Sequence, residues 1–269
     1  MGLAGRVQFI DQYAALEASL KQGLSKGVIS SLEATNANYL LRFGQQRSQF
    51  AGQFMTNGRV KLETTKKPGG VESVYRSTSG VNLVDVANAL NKANLADDVA
   101  QENMFTVFLA GERAKQVGWE KLNFSNPQKA KAEYDSIVDQ LKTNKVAQEA
   151  FNEAKKLYKE YNAGLLDFLV ETGALPAGKD AELKNITYVP FYRINDNGEV
   201  QLMIDKEHPV RISNIKDEPQ LKELVGGNTA ILPVFTSAAQ NTFMITGMGL
   251  RNQAVKETCF VLKKIGIAS

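Results

Sequence analysis

Between residues 146 and 172 the chain commits to one long helix. Val146, Ala150, Ala154, Leu157, Tyr161, Leu165 and Phe168 follow one another at intervals of three or four residues, with Phe151, Tyr158 and Leu169 beside them. That spacing returns each side chain to one face of a 3.6-residue helix. The apolar seam is narrow at first and broadens into GLLDFLV, so the far end of the helix is expected to enter a core. A chain organised around such an element packs helices on helices.

The other periodic stretches agree. Phe9, Tyr13, Leu16, Leu20 and Leu24 predict a helix ending near Gly27, and Leu32, Asn36, Tyr39, Leu40 and Phe43 predict a second, running unbroken from about Ser30 to Met55. NLVDVANALNKANL and ADDVAQENMFTVFLAGERAKQVGW continue the helical pattern. The latter carries Val99, Asn103, Phe105, Phe108, Leu109 and Ala110 on a wide face suited to central burial. Asn126-Pro127 supplies a cap and a first-turn proline for a helix holding Ala130, Tyr134, Ile137, Val138 and Leu141. Between the second and third helices, RVKLET and VESVYRS alternate as two strands around KKPGG, a hairpin that needs something to pack on. The expected fold is mainly α, an irregular multi-helix bundle of about six to eight helices with one or two small β-hairpins. Two domains are expected: 1–80, a basic helical hairpin plus the small β-hairpin, and 81–269, a helical module with a second hairpin inserted.

GALPAGKD, residues 173–180, comes within one residue of a phosphate-cradling loop: Gly173, Gly178 and Lys179 fit, and Asp180 stands where a hydroxyl residue belongs. Such a loop must leave a buried strand, and here a helix precedes it. Gly173 instead reads as a helix C-cap, Pro176 as a stop and DAELKN as a short helix. No nucleotide or other cofactor is expected.

Composition excludes other chemistries. One cysteine, Cys259, and one histidine, His208, leave neither a disulfide nor a zinc site of the usual kind, and no nucleophile elbow accompanies the imidazole. Cys259 shares a helical stripe with Val255 and Leu262 and is expected to be buried; His208, before Pro209, is expected to be exposed. Gly226 to Leu250 contains no charge and is long enough to span a bilayer. Gln240, Asn241 and Ser237 dilute it and Pro233 interrupts it, so a core helix is expected. Net charge is +3, but residues 1–80 hold ten Lys/Arg against five Asp/Glu. Weak, non-specific nucleic-acid contact through Arg42, Arg47, Arg59, Lys61, Lys66, Lys67 and Arg76 is the corresponding expectation. If the chain were a wall-cleaving enzyme, Glu112 and Glu171, each after an apolar run, would be the best-placed acids; both read more simply as exposed helix residues. No catalytic, cofactor-binding or metal-binding residues are assigned.

Beyond the loop, ITYVPFYRINDNGEVQLMID is dense in β-favouring residues, with Asn197-Gly198 as the turn and VQLMI as the returning strand. YNAGLLDFLVETGALP followed by YVPFYR resembles a helical module of large polyvalent proteins of phages and mobile elements, and of related internal virion proteins. In that group a leucine-rich helix ending in TG leads through a short insertion to a YVPF-R signature and then to another helix. Tyr161, Leu165, Leu166, Phe168, Leu169, Thr172 and Gly173 match the first part, and Tyr188, Val189, Pro190, Phe191 and Arg193 the second. LKELVGGNTAILPVFTSAAQNTFMITGMGLRNQAVKE is similar to the closing helix, with Leu232-Pro233 where the family has Asn-Pro. The likeness runs over roughly residues 95 to 260.

The resemblance implies a non-catalytic structural or scaffolding module of a large phage-encoded protein, packaged in the virion and entering the host cytoplasm. Its partners would be other segments of that polypeptide or other virion proteins. Read as an excised segment, the chain stops within a helix at VLKKIGIAS. Tyr188, Pro190, Phe191 and Arg193 are expected to form an architectural clasp. Its rings would cover Leu165, Phe168 and Leu169, and Arg193 would lie near Asp167 or Glu171.

Overall fold

The computed structural model describes residues 15–95, 97–122, 124, 126–185, 191–194, 200–203 and 233–267. In chain order these form α1 (15–25), α2 (Ser31–Gln45), α3 (Arg47–Asn57), the strands β1 (Val60–Lys67) and β2 (Gly70–Ser77), α4 (Leu83–Asn91) and α5 (Asp98–Val117). A 3-10 turn at Trp119–Leu122, α6 (Pro127–Thr143), α7 (Lys145–Glu171), α8 (Lys179–Asn185), β3 (Phe191–Ile194), β4 (Val200–Met203) and α9 (Val234–Ile265) follow. Among the described residues the fold is mainly α, with nine helices and two separate antiparallel hairpins.

Helix starts follow local chemistry. Asn82 and Asp85 form a reciprocal capping box on α4, and the carboxamides of Asn126 and Asn144 accept the Lys129 and Ala147 amides (2.9 and 3.1 Å) to open α6 and α7. α9 has no such cap of its own, since Pro233 precedes it. Its first amides are taken by α5 instead: Val234 donates to Thr106 Oγ1 (3.0 Å) and Phe235 to Glu102 Oε1 (3.2 Å). A carboxylate at that position also complements the positive end of the helix dipole.

α7 is the axis of the core. Near its start the Phe151 ring meets Phe105 and Phe108 edge-on, with centroids 5.5 and 5.7 Å away. Near its end Phe168, fully buried, lies among Phe50, Phe54 and Tyr75. Burying one such ring contributes about 1.5–3 kcal/mol. Leu40, Phe50, Phe54, Val60 and Tyr75 belong to the same packed cluster as Phe105, Phe151 and Leu250, so the core does not divide at residue 80. A second, smaller cluster joins Leu20, Ile29, Ala34, Ala37 and Val261 from α1, α2 and α9.

α9 runs parallel to α7. Tyr161 meets Thr242 (hydroxyl to hydroxyl, 2.5 Å), Phe168 lies against Gly249, and Thr172 O accepts from Asn252 Nδ2 (2.8 Å), a nearly constant offset along both helices. Gly249 is required at this crossing, because a Cβ there would overlap the Phe168 ring. The buried face of α9 is largely polar or small: Ser237, Asn241, Thr242, Thr246 and Gly247. Threonines satisfy themselves on carbonyls one turn back, as Thr242 does on Ala238 O (2.7 Å) and Thr246 on Thr242 O (2.7 Å).

The first hairpin forms as its sequence predicts, with Pro68-Gly69 at the corner and Gly69 at φ +90°. What it packs on is α2. Asn36 Oδ1 accepts the Ser73 amide (2.8 Å) and the Tyr39 hydroxyl accepts the Tyr75 amide (3.0 Å), so side chains of a helix close the outer edge of β2. The second hairpin pairs Phe191 with Met203 and Ile194 with Val200; its expected Asn197-Gly198 turn lies outside the described residues.

Several expectations are corrected. The helix from Ser30 to Met55 is two helices, broken at Gln46 (φ −93°, ψ 26°), which follows the weak helix former Gly44. The break lets Phe50 and Phe54 turn toward Phe168. Val99 and Val146, placed on core faces by periodicity, are 68% and 61% exposed: the packed side of each first turn is the one bearing Gln101 and Ala147, which are buried. Cys259 is exposed, as are Val255 and Phe260: the packed side of α9 there is the one bearing Ala254 and Val261. Finally, VLKKIGIAS does not stop mid-helix. Gly266 turns left-handed (φ 80°), and the Gly266 and Ile267 amides bond back to Lys263 O and Leu262 O (both 3.0 Å), closing α9 with a Schellman motif.

Candidate functional site at the C-terminal end of the long helix

Asp167 and Glu171 stand one turn apart at the carbonyl end of α7, where the helix dipole disfavours negative charge. Cations from distant segments converge on them. Arg59 places Nη1 3.1 Å from Asp167 Oδ2 and Nη2 2.5 Å from Glu171 Oε1. Lys184 of α8 bonds both Asp167 and Asp180, the latter at 2.8 Å. These side chains are a quarter exposed or slightly more for all but Asp180, so the pairs are partly shielded from water. Hydrogen bonds to Asp167 and Asp180 raise the Lys184 ammonium above its ordinary range, and Lys184 in turn holds the Asp180 carboxyl down.

The backbone positions these groups. Gly58, at φ +89°, is pressed against the Gly80 carbonyl so closely that any side chain would collide. Thr78 ties the two crossing segments by donating to Arg59 O from its amide (2.7 Å) and hydroxyl (3.1 Å). At the end of α7, Gly173 adopts the left-handed conformation expected of it (φ +71°), and the Leu175 amide returns to Leu169 O (3.0 Å). α9 completes the end cap with Asn252 on Thr172 O and with the Lys256 ammonium beside Gly173. GALPAGKD is therefore a helix-to-helix turn. One of its amides, Gly178, donates to Asp180 within the turn itself (3.2 Å).

A second charged cluster pins α5, α6 and α7 together. Glu112 Oε1 accepts from the Tyr134 hydroxyl (2.5 Å) and Oε2 from Lys155 (2.9 Å), while Lys115 reaches the same hydroxyl (3.2 Å). Partial burial would raise the Glu112 carboxyl, but Tyr134, Lys155 and Lys115 outweigh it and hold the pKa below the usual carboxylate value. The Tyr134 phenol moves up, through burial and then through Glu112. Its ring lies directly on Gly111, where a Cβ would overlap it. A general acid needs the opposite shift. Glu112 is built to stay ionised.

The residues singled out in the sequence are thus dispersed. Glu171 pairs with Arg59, and the neighbouring Asp167 pairs with both Arg59 and Lys184. Phe168 and its neighbours are covered by α3, β2 and α9. Tyr188 and Pro190 lie outside the described residues, as does His208; Phe191 and Arg193 are described as backbone of β3 only. Of the basic residues, Arg59 is a structural pin, Lys67 pairs with Glu72 (2.5 Å) and Arg76 with Glu63 (2.7 Å). Arg42, Lys61 and Lys66 are exposed, and the Arg47 side chain lies outside the described residues.

One junction escaped the sequence reading although its signal is local. Ser30 and Glu33 form a capping box on α2, with the Glu33 amide on Ser30 Oγ (3.1 Å) and the Ser30 amide on Glu33 Oε2 (2.9 Å). The same Ser30 hydroxyl donates to Gly69 O of the hairpin corner, and Glu33 also accepts from Lys264 of α9. Burial raises the Glu33 carboxyl, and Lys264 with the Ser30 amide more than reverses this, leaving it below the ordinary value.

Among the described residues no group of His, Cys, Asp and Glu could hold a metal ion, and no helix is long and apolar enough to cross a membrane. The fold and its charged junctions define a helical bundle cross-braced by ion pairs. The chain matches no protein-family model, no curated protein and no solved structure.

Proposed function

We propose that this chain is a non-catalytic structural module of a large phage-encoded protein carried in the virion, acting with other segments of that polypeptide or with other virion proteins. The supporting observation is what the carboxylates do. Glu112 and Glu171, the acids best placed for catalysis on the sequence, each join elements that are distant in the chain, and neither is left as an isolated acid in an apolar pocket. Each pair thereby ties α7 to another segment of the fold. The resemblance of YNAGLLDFLVETGALP and YVPFYR to modules of large polyvalent and internal virion proteins supports the same reading.

Two measurements test it. Mass spectrometry of purified particles of the phage encoding the chain is expected to find its peptides. Their absence from particles, with presence in infected-cell lysate, would count against a virion role. A peptidoglycan zymogram is expected to stay opaque over the refolded chain; clearing that disappears in Glu112→Gln or Glu171→Gln would replace the module with an enzyme.

A further inference from the structure

We propose that the open edge of β1 is a docking edge for an extended acidic polypeptide segment, which adds to the first hairpin as a third strand. The inference goes beyond the virion reading and does not depend on it.

The register shows which backbone groups are free. In an antiparallel pair, residues opposite each other alternate between exchanging both hydrogen bonds and pointing both away. The Ser73 and Tyr75 amides point away from β1, since they donate to Asn36 and Tyr39 of α2. Their partners across the ladder are Thr64 and Leu62, and Lys66 continues the alternation opposite Val71. Leu62, Thr64 and Lys66 therefore direct amide and carbonyl away from β2, at the repeat of a strand. Among the described residues no hydrogen bond reaches these groups, and β1 is exposed continuously from Glu63 to Lys67. The two edges of one hairpin differ: α2 closes the edge of β2, and among the described residues nothing bonds to the edge of β1.

A bare edge with alternating donors and acceptors matches an extended peptide. A phosphate backbone offers acceptors alone, so the carbonyls of Leu62, Thr64 and Lys66 would find no partner along it, whereas a peptide backbone matches donor and acceptor in turn. Charge selects the kind of peptide. Glu63 is engaged by Arg76 and Lys67 by Glu72, and among the described residues no carboxylate pairs with Lys61 or Lys66. Side chains alternate along a strand, so one of these cations lies on each face of the hairpin. Lysines on an edge discourage apolar strands; the same two charges favour a segment with acidic residues on both faces. A second copy of β1 brings three more lysines, of which only Lys67 is paired with Glu72, and its one carboxylate is already engaged by Arg76.

The test uses the full chain and a fluorescein-labelled eight-residue peptide, Val-Val-Glu-Glu repeated twice, which places Glu on both faces of a strand. Fluorescence anisotropy is expected to show saturable binding with a Kd below about 1 mM. The same peptide N-methylated at alternate residues, with charge kept and hydrogen bonds removed, should bind at least tenfold more weakly. Thr64→Pro removes an outward amide and no bond of the β1–β2 ladder, and should weaken binding about as much. Lys61→Glu with Lys66→Glu should transfer the preference to a Val-Lys peptide. Equal binding of the N-methylated peptide would reduce the effect to bulk charge and overturn the proposal, as would no binding at all. Tighter binding of a single-stranded oligonucleotide of the same length would overturn it in favour of nucleic acid. A concentration-dependent dimer in sedimentation, abolished by Thr64→Pro, would assign the edge to a second copy instead.

Discussion

The two ends of α7 are held by contacts of different range. At its start, Phe151 packs on Phe105 and Phe108, and Lys155 pairs with Glu112, 43 residues away. At its end, Phe168 packs on Phe50, Phe54 and Tyr75, and Glu171 pairs with Arg59, 112 residues away, while α9 closes over the last turn. Helices that follow one another along the chain are brought together by short loops. Segments that arrive from far away have no such guide. Both ends carry a branched ion-pair network and a glycine under an aromatic ring. To the far end the structure adds the backbone crossing of Gly58 on Gly80 and the Asn252 cap on Thr172.

The most severe challenge to this comparison is removal of one ring from each end. Phe151→Ala and Phe168→Ala are each expected to cost about 3–5 kcal/mol, since both rings are fully buried in aromatic clusters. The midpoint of urea unfolding measures this. A loss below about 1 kcal/mol for Phe168→Ala would show that the distant contacts add little.

Filling the close crossings comes next. Gly249→Ala drives a methyl into Phe168, and Gly111→Ala drives one into the Tyr134 ring. Each is expected to destabilise by about 1–3 kcal/mol. Pairing Gly249→Ala with Phe168→Leu should recover part of its loss, and pairing Gly111→Ala with the same Leu substitution should not. Equal recovery in both would mean the two ends are not packed as described.

The ion pairs sharpen the comparison further. Arg59→Met strands Glu171 at the wrong end of a helix dipole, leaves Asp167 to Lys184 alone, and is expected to cost about 1–2 kcal/mol, an amount reduced by the partial exposure of the site. Raising salt should shrink the penalty. A Tm unchanged in Arg59→Met at low ionic strength would remove the network from the account.

The smallest effect is the dependence on pH. Glu112 is held below its ordinary value in the folded chain. Its contribution is therefore present above the unfolded carboxylate value of about 4.3 and is lost as pH falls through the lower folded value. The stability gap between the wild-type chain and Glu112→Gln should accordingly be constant near neutrality and close as pH falls from about 5 towards 3. A gap that widens on acidification would mean that Glu112 is raised.

How much of this could be read in the sequence follows from the same difference in range. The cap at Asn126, the left-handed Gly173 and the KKPGG corner were all legible, because each depends on a few consecutive residues. So was the long seam through Phe151 and Phe168. Ser30 and Glu33 carried an equally local signal, S-x-x-E, that went unread. Partner identity was not legible. Asp167 and Glu171 plainly needed a cation, but Arg59 and Lys184 were no more evident than Arg193 until the crossing at Gly58 and Gly80 and the return of α8 were known. The side on which α9 packs also decided Cys259, since its stripe was apolar and yet faces outward.

The central claim is that α7 carries one continuous core from end to end, across the boundary expected at residue 80. Trp119, the chain's single tryptophan, lies 5.9 Å from the Tyr134 ring on the near side, and Phe168 lies on the far side. Urea unfolding of Phe168→Ala, followed at once by Trp119 fluorescence and by far-ultraviolet circular dichroism, tests the claim most directly. The account predicts one transition, coincident in both signals and shifted as a whole to lower urea. A Trp119 transition left at its wild-type midpoint, while part of the dichroism melts earlier, would contradict it and divide the chain into two units.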